Sequence, residues 1–419
     1  MLMKNRFAFA ALLVSPLFLT TVHALPSYEI QSLGSLNPSF VNSQANGINN
    51  LGQVVGSATN QNFLTEAFIW DSTNGMQGLG FLPDSTDSQA SAINDNGEVV
   101  GRSMYSGFPG AGTPEHFIWD STNGMNHLGR TDPMEEFAFA NDINNSSQVV
   151  GTSVYTFPPS SIGAGGGNFP TTWNAGTGVE RLPVFAAELG NGGGQAYGIN
   201  EAGYTVGDVS DFGAPVPDPA GSFEAVIWDP SQNISALQNL FGTNQSSAVA
   251  LNDGNQIVGW ERNTNGVDRA LFWENPTAVP VELGLFDPTD SFTRGNAINN
   301  DALIVGDILN STLFPGFPPT TLATIWENNV AHYLGNLLPD PQNWLALLSA
   351  RDINEHGQIV GMGVKFGPQG GFEFEAFLLN PLTTTLPVAE PSALSLIVVA
   401  IAMLIVFRTR KDLIQLRLE

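Results

Sequence analysis

Two sets of side chains in this chain are of the types that could do chemistry. Six aspartates, Asp84, Asp87, Asp132, Asp287, Asp290 and Asp340, stand in Pro-containing connections that return at a period of about fifty residues. Gathered around an axis, their carboxylates could bind Ca²⁺, which takes six to eight oxygens. No other cofactor is suggested. The second set is aromatic: Tyr105, Phe108, Tyr155, Phe157, Phe212, Phe314 and Phe317 lie in loops rich in Pro and Gly. Rings on one rim can stack on a sugar or a peptide; the plainer reading is that they cover their own loops. "DSTNG" (Asp71 to Gly75, again Asp120 to Gly124) has the early spacing of a Ca²⁺ loop but lacks its later ligands, so it reads as a hairpin turn.

Catalytic motifs are missing from the sequence. There is no H-E-x-x-H, no G-x-S-x-G, no phosphate-cradling loop and no dinucleotide fingerprint, and His116, His127, His332 and His356 are scattered. With no Cys, disulfides and thiolate chemistry are excluded. Outside the terminal segments, 8 basic residues face 36 acidic ones, a formal charge of −28 that repels nucleic acid.

The elements that must position these residues are written seven times. "GINNLGQVVG", "AINDNGEVVG", "DINNSSQVVG", "GINEAGYTVG", "ALNDGNQIVG", "AINNDALIVG" and "DINEHGQIVG" share an Asn (Asn49, Asn94, Asn144, Asn200, Asn252, Asn299, Asn354) and a closing Gly (Gly56, Gly101, Gly151, Gly207, Gly259, Gly306, Gly361). The Asn should fasten a turn, and the Gly should let neighbouring sheets pack closely. At the turn position that calls for positive φ, four repeats have Gly and one has Asn255, whereas Ser147 and Ala302 predict looser or differently built turns. Each unit then contains four short candidate strands, as in "LGFL" (79–82), "SAIN" (91–94), "EVVG" (98–101) and "HFIW" (116–119).

In "AFIWD" both faces of the strand are apolar, so its sheet must be covered twice, as in radially stacked blades. Trp70, Trp119, Trp173, Trp228, Trp273 and Trp326, with Leu379 in the seventh unit, form the corresponding stripe. From closing Gly to the next member of that stripe the spacing varies from 14 to 22 residues, while from each Trp to the next closing Gly it stays between 31 and 35. Insertions therefore fall between the second and third strands. The segment "YEIQSLGSL" precedes the first repeat, and the last unit stops after "AFLLN", one strand short. Pairing the two ends predicts an all-β, seven-bladed β-propeller over residues 25–382, closed by its N-terminal strand.

The ends read as targeting segments. Residues 1–24 have Lys4, Arg6, an apolar run and a small-residue site at Ala24, the layout of a cleavable signal peptide. Residues 383–392 form a linker, 393–407 an uncharged apolar run that predicts a single transmembrane helix, and 408–419 a basic tail that the positive-inside tendency keeps in the cytoplasm. Glu390 and Pro391, the apolar helix, and Arg408, Arg410 and Lys411, in that order, resemble the PEP-CTERM sorting signal of bacterial exported proteins; Ala389 replaces the first Pro, and eight residues follow the basic cluster. That resemblance implies an exosortase as partner, cleavage near the motif, and a surface or extracellular location. The repeats, "LGxL…GINxxGxVVG…AFxW" over residues 28 to 380, resemble the extracellular HAF-family repeat, which implies a secreted or surface-exposed bacterial protein without assigning it a reaction. "FIWDSTNG" is similar to the WD repeat in strand order alone. The function expected is a non-enzymatic binding or structural module that meets extracellular polysaccharide or a surface protein, held at the membrane by its C-terminal helix before processing. The alternative is a propeller hydrolase or lyase acting on extracellular polysaccharide.

Overall fold

The computed structural model describes residues 26–104, 114–130, 135–155, 167–185, 192–211, 222–288, 290–310, 320–367 and 371–382. The signal segment with Ala24, the linker with Glu390 and Pro391, the apolar run 393–407, and the tail with Arg408, Arg410 and Lys411 lie outside the described residues. Among the described residues, no helix is long and apolar enough to cross a membrane.

Strand β1 (Tyr28–Ser32) stands alone at the start, and the strands after it come in blades. Blade 1 is β2 (Phe40–Ile48), β3 (Val54–Asn60), β4 (Thr65–Asp71) and β5 (Gly75–Gly80); blade 2 is β6 (Asp87–Ile93), β7 (Val99–Met104), β8 (Glu115–Asp120) and β9 (Gly124–His127). Blade 3 is β10 (Glu135–Ile143), β11 (Val149–Tyr155), β12 (Gly167–Asn174) and β13 (Gly178–Arg181); blade 4 is β14 (Gly192–Ile199), β15 (Thr205–Asp211), β16 (Phe223–Trp228) and β17 (Ile234–Ala236). Blade 5 is β18 (Ser246–Leu251), β19 (Ile257–Arg262), β20 (Asp268–Trp273) and β21 (Val281–Glu282); blade 6 is β22 (Phe292–Ile298), β23 (Ile304–Asn310), β24 (Thr320–Glu327) and β25 (Val330–Tyr333). Blade 7 has only β26 (Trp344–Ile353), β27 (Ile359–Phe366) and β28 (Phe372–Pro381) of its own. Its fourth strand is β1, antiparallel to β28 in a register running from Tyr28 opposite Pro381 to Ser32 opposite Phe377. The first strand of each blade touches the first strands of both neighbours, so these seven are innermost and the ring is closed. The protein is a seven-bladed β-propeller.

The recurrent Asn does more than fasten its turn. Each one is buried and gives its side-chain N–H to the backbone carbonyl of the next blade's Asn: Asn49 to Asn94, and so on through Asn144, Asn200, Asn252, Asn299 and Asn354, which returns to Asn49. The distances are 3.0 to 3.3 Å. Its Oδ1 meanwhile accepts from its own turn, as at Asn49 from the N–H groups of Leu51 (3.1 Å) and Gln53 (2.9 Å). The second Nδ2 hydrogen goes to Gln53 at 2.8 Å, so all four hydrogen-bonding positions of this amide are filled. The next residue repeats the device outward. The N–H of Asn50 meets Asp95, and the circuit passes through Asn145, Glu201, Asp253, Asn300 and Glu355 back to Asn50.

Three local expectations are corrected. The closing Gly serves its own blade: at Gly56 a Cβ would overlap the Gln44 carbonyl of the adjoining innermost strand, where a bulge between Ala45 and Gly47 brings the backbones together. The same bulge recurs beside the closing Gly in all seven blades. Second, Ser147 and Ala302 do not build different turns. Both take φ +58° and donate to the Asn144 and Asn299 carbonyls at 3.0 Å, as Gly52 does to Asn49. The two inter-blade hydrogen-bond circuits leave the turn no other shape. Third, the fourth strands lie mostly upstream of the Leu-Gly pairs. The Leu ends the strand as a plug: Leu33, Leu79, Leu128, Leu182, Leu237, Leu283 and Leu334 are all buried. Each joins the apolar cluster that contains the next blade's Trp, or Leu379 in blade 7. In three blades the indole N–H also reaches back, Trp228 to Pro183, Trp273 to Gln238 and Trp326 to Gly284, at 2.8 to 2.9 Å.

Two outcomes follow for stability. Asn144→Asp keeps the shape and the acceptor but sets a carboxylate against the Asn200 carbonyl, and should cost about 2–4 kcal/mol in chemical denaturation. Ala302→Gly relieves a left-handed backbone and should add about 1 kcal/mol, read as a higher melting temperature.

Candidate functional site

The two ends of the ring differ in kind. One end carries the Asn turns and the third-to-fourth hairpins; this turn face is set by the repeats. "DSTNG" lies here as a hairpin turn, with Asp71 accepting the N–H groups of Thr73 and Asn74 at 2.8 and 2.9 Å and Asp120 doing the same for Thr122 and Asn123. The side-chain amides of Asn74 and Asn123 also donate to Asp71 and Asp120, each at 2.9 Å, and these bonds, the side-chain ones first, hold both carboxyls below the usual range. The opposite end carries the second-to-third loops and the blade connections.

Of the residues singled out in the sequence, Asp132, Tyr105, Phe108, Phe157, Phe212, Phe314 and Phe317 lie outside the described residues, and of Tyr155 only the backbone, ending β11, is described. Three of the remaining aspartates have carboxylates engaged by hydrogen bonds. Asp87 is buried and accepts the Thr65 N–H at 2.7 Å. Asp290 accepts from the N–H groups of Phe286 (3.0 Å) and Asp287 (2.9 Å) and from Asn310 (2.6 Å). Asp340 accepts the Gln342 N–H at 2.9 Å, and Asp84 is exposed with φ +64°. Among the described residues no group of three or more His, Asp or Glu is placed to hold a metal ion.

What the loop face does present is a pocket of about 430 Å³ between blades 3, 4 and 5. It is lined by Gly194, Gln195 and Tyr197 of innermost strand β14, by Asp208 and Ser210 of β15, and by Asn168, Phe223 and Trp260. Phe223 meets Trp260 edge to face, centroids 5.6 Å apart, and the Arg294 guanidinium lies 4.7 Å over the Trp260 ring. Asp208 is buried. It accepts from Ser247 Oγ at 2.9 Å and pairs with the Tyr197 hydroxyl, and burial pushes its carboxyl up to about 6 against these bonds. Burial also raises the Tyr197 hydroxyl, with the Asp208 charge adding to it. A hollow of about 670 Å³ on the turn face, between blades 5 and 6, is lined by repeat residues such as Leu303 and Trp326 and by Pro26.

A second constellation sits between neighbouring innermost strands. Asp142 accepts the Ile199 N–H of blade 4 at 2.9 Å, and Asp352 the Ile48 N–H of blade 1 at 2.8 Å. Their places in the other blades hold Gly47, Ala92, Gly198, Ala250 and Ala297. Burial pushes Asp142 up to about 6 and Asp352 up to about 7, with the Asp142 charge contributing to the latter. Neither these two nor the pocket residues were singled out by motif. Aligning the seven repeats would have found Asp142 and Asp352 two residues before the recurrent Asn, and Asp208 and Trp260 at the position after the closing Gly, which reads Ser57, Arg102, Thr152, Asp208, Trp260, Asp307 and Met362.

No family model matches the chain, and no curated protein matches it. Solved structures with a similar shape include dipeptidyl peptidase 4 from Porphyromonas gingivalis (7% identity, TM-score 0.45, 82% of this chain and 53% of that one). TolB from Acinetobacter baumannii is similar at 11% identity and TM-score 0.40, over 66% of this chain and 61% of that one. A gluconolactonase from Xanthomonas campestris is similar at 8% identity and TM-score 0.35, over 85% and 90%. The chain thus spans about half the length of the peptidase and about three fifths of TolB. At these values the likenesses carry no argument about activity.

The inter-strand acids give a pH signature. A carboxyl whose folded pKa lies above its unfolded value keeps its proton longer when folded, so the unfolded chain ionises first and stability falls as pH rises. For Asp352 the window runs from the ordinary aspartate value of 3.8 to about 7. The melting temperature should fall between pH 4 and pH 7, and Asp352→Ala, which installs the residue of blades 2, 5 and 6, should flatten that fall. A parallel profile in the variant would assign the pH dependence elsewhere.

Proposed function

We propose that the chain is an exported module displayed at the cell surface or in the surrounding matrix, sorted by an exosortase-type protease, and that it binds its ligand on the loop face without turning it over. The observation that carries this reading is where the two chain ends meet. The Leu382 N–H donates to the Ser27 carbonyl at 2.7 Å, beside the turn of Asn354 to Gln358, whose side chain holds Asn380 at 2.6 Å. The apolar segments of the sequence, within 1–24 and 393–407, therefore join the ring at one point on the turn face. A tether there directs the loop face, with its blade-to-blade differences in length and composition, away from the membrane. The HAF-like repeats and the acidic composition support an extracellular, soluble ring.

One observation favours the alternative, a hydrolase or lyase acting on polysaccharide. Asp208, with its carboxyl pushed up to about 6, stands in the loop-face pocket, where a group that holds a proton near neutral pH can act as an acid.

Intact-mass analysis in a host with an exosortase tests the sorting reading. Mature protein should begin near Leu25 and lack the residues after about Pro391, and Glu390→Ala or Pro391→Ala should trap a longer, membrane-bound form. Mature protein still carrying Arg408 to Glu419 would make the tail a plain anchor.

A further inference from the structure

In a ring of near copies, a side chain that its own blade position does not require stands out against six internal controls. After the closing Gly, blade 5 alone places an aromatic, Trp260. At the position of Tyr197 the other blades have Asn46, Ser91, Asn141, Val249, Asn296 and Arg351. At the position of Phe223 they have Thr65, Pro114, Asn168, Asp268, Thr321 and Phe374. The ring closes without these aromatics in most blades, yet from three strands of blades 4 and 5 (β14, β16 and β19) they converge on one pocket.

We propose that this pocket is a binding site for a neutral saccharide ring, stacked on Trp260 and hydrogen-bonded by Asp208, Gln195 and Asn168. The inference rests on the reading of the protein as a ligand-binding module and supplies the class of ligand. Trp260 and Phe223 give two apolar surfaces inclined at 69° to each other, a corner that receives the C–H face of a pyranose while leaving its rim free. That rim meets hydroxyl and amide groups: Ser210, Gln195 and Asn168 line the pocket, and Asp208 already accepts from two hydroxyls, Tyr197 and Ser247. A carboxylate satisfied by hydroxyl donors is suited to a ligand made of them. Cationic ligands fit less well, because the Arg294 guanidinium already occupies a place over Trp260 at 4.7 Å. Anionic ligands meet Asp208 and a strongly acidic chain.

The test uses the full chain in detergent and a panel of gluco-, xylo- and manno-oligosaccharides, with chitosan oligomers as cationic and oligogalacturonate as anionic probes, read by calorimetry and tryptophan quenching. At least one neutral oligosaccharide should bind. Trp260→Met installs the residue that blade 7 carries at this position, so the ring should melt as before while affinity drops at least tenfold. Trp260→Phe, the milder change, should lose less. Absence of binding by every neutral member overturns the proposal, as does binding confined to a charged oligomer. Neutral binding that persists unchanged in Trp260→Met also overturns it, while leaving the protein a binding module through another surface. Release of reducing ends by the parent chain would instead overturn the non-catalytic reading and leave the pocket's ligand class in place.

Discussion

A carboxamide buried between two blades sets the terms for everything else in this molecule. Asn49 and its six counterparts each donate to the next blade's backbone and accept from their own turn, and at a buried site an unfilled donor or acceptor costs about 1–3 kcal/mol. Ser is too short to span that gap, Gln too long, and Asp lacks the donors, so the identity of the residue is dictated seven times over. Because the circuit returns from Asn354 to Asn49, the spacing between blades is fixed for all of them at once. The turn bends to this requirement even where its sequence resists, which is why Ser147 and Ala302 accept positive φ.

Away from the axis the same logic passes from hydrogen bonds to packing. The buried Leu at the end of each fourth strand meets the next blade's third-strand Trp, or Leu379 in blade 7, so the radial sheets are clasped near the axis by amides and at the periphery by apolar plugs. Blade 7 obeys the rule with material from both chain ends: Leu33 of the N-terminal segment packs with Trp70 of blade 1. Loop-face residues fall outside this network, and there the blades diverge.

The seven-bladed count and the closing strand were legible because they depend on periodicity and on one missing strand, both visible in a single chain. Partners across blades were not. Asn49 reaches a carbonyl 45 residues away, and nothing within one repeat shows whether its amide turns inward or sideways. The closing Gly was read as serving neighbouring sheets because a bulge in the adjoining strand leaves no mark in the motif itself. Asp87 and Asp290 carry the right chemistry for a cation, but their lone pairs are used by backbone N–H groups, of the preceding blade's third strand for Asp87 and of its own connection for Asp290. Trp260, Tyr197 and Phe223 sit within strands, at the feet of the loops rather than in them, where an unusual residue looks like ordinary core until the copies are laid side by side.

The juncture of Ser27 and Leu382 also has a mechanical meaning. A chain held by its C-terminal segment while its far face is engaged would be pulled along the axis of β28. That strand is flanked by β27 on one side and by β1 on the other, with ladders running from Ile359 opposite Leu379 to Phe366 opposite Phe372 and from Tyr28 opposite Pro381 to Ser32 opposite Phe377. Tension would load these bonds in shear, together, instead of peeling them one by one from a free edge. An outermost C-terminal strand would have unzipped. Lending the first strand of the chain to the outside of the last blade means that a pull on the C-terminal strand would be met by two ladders at once.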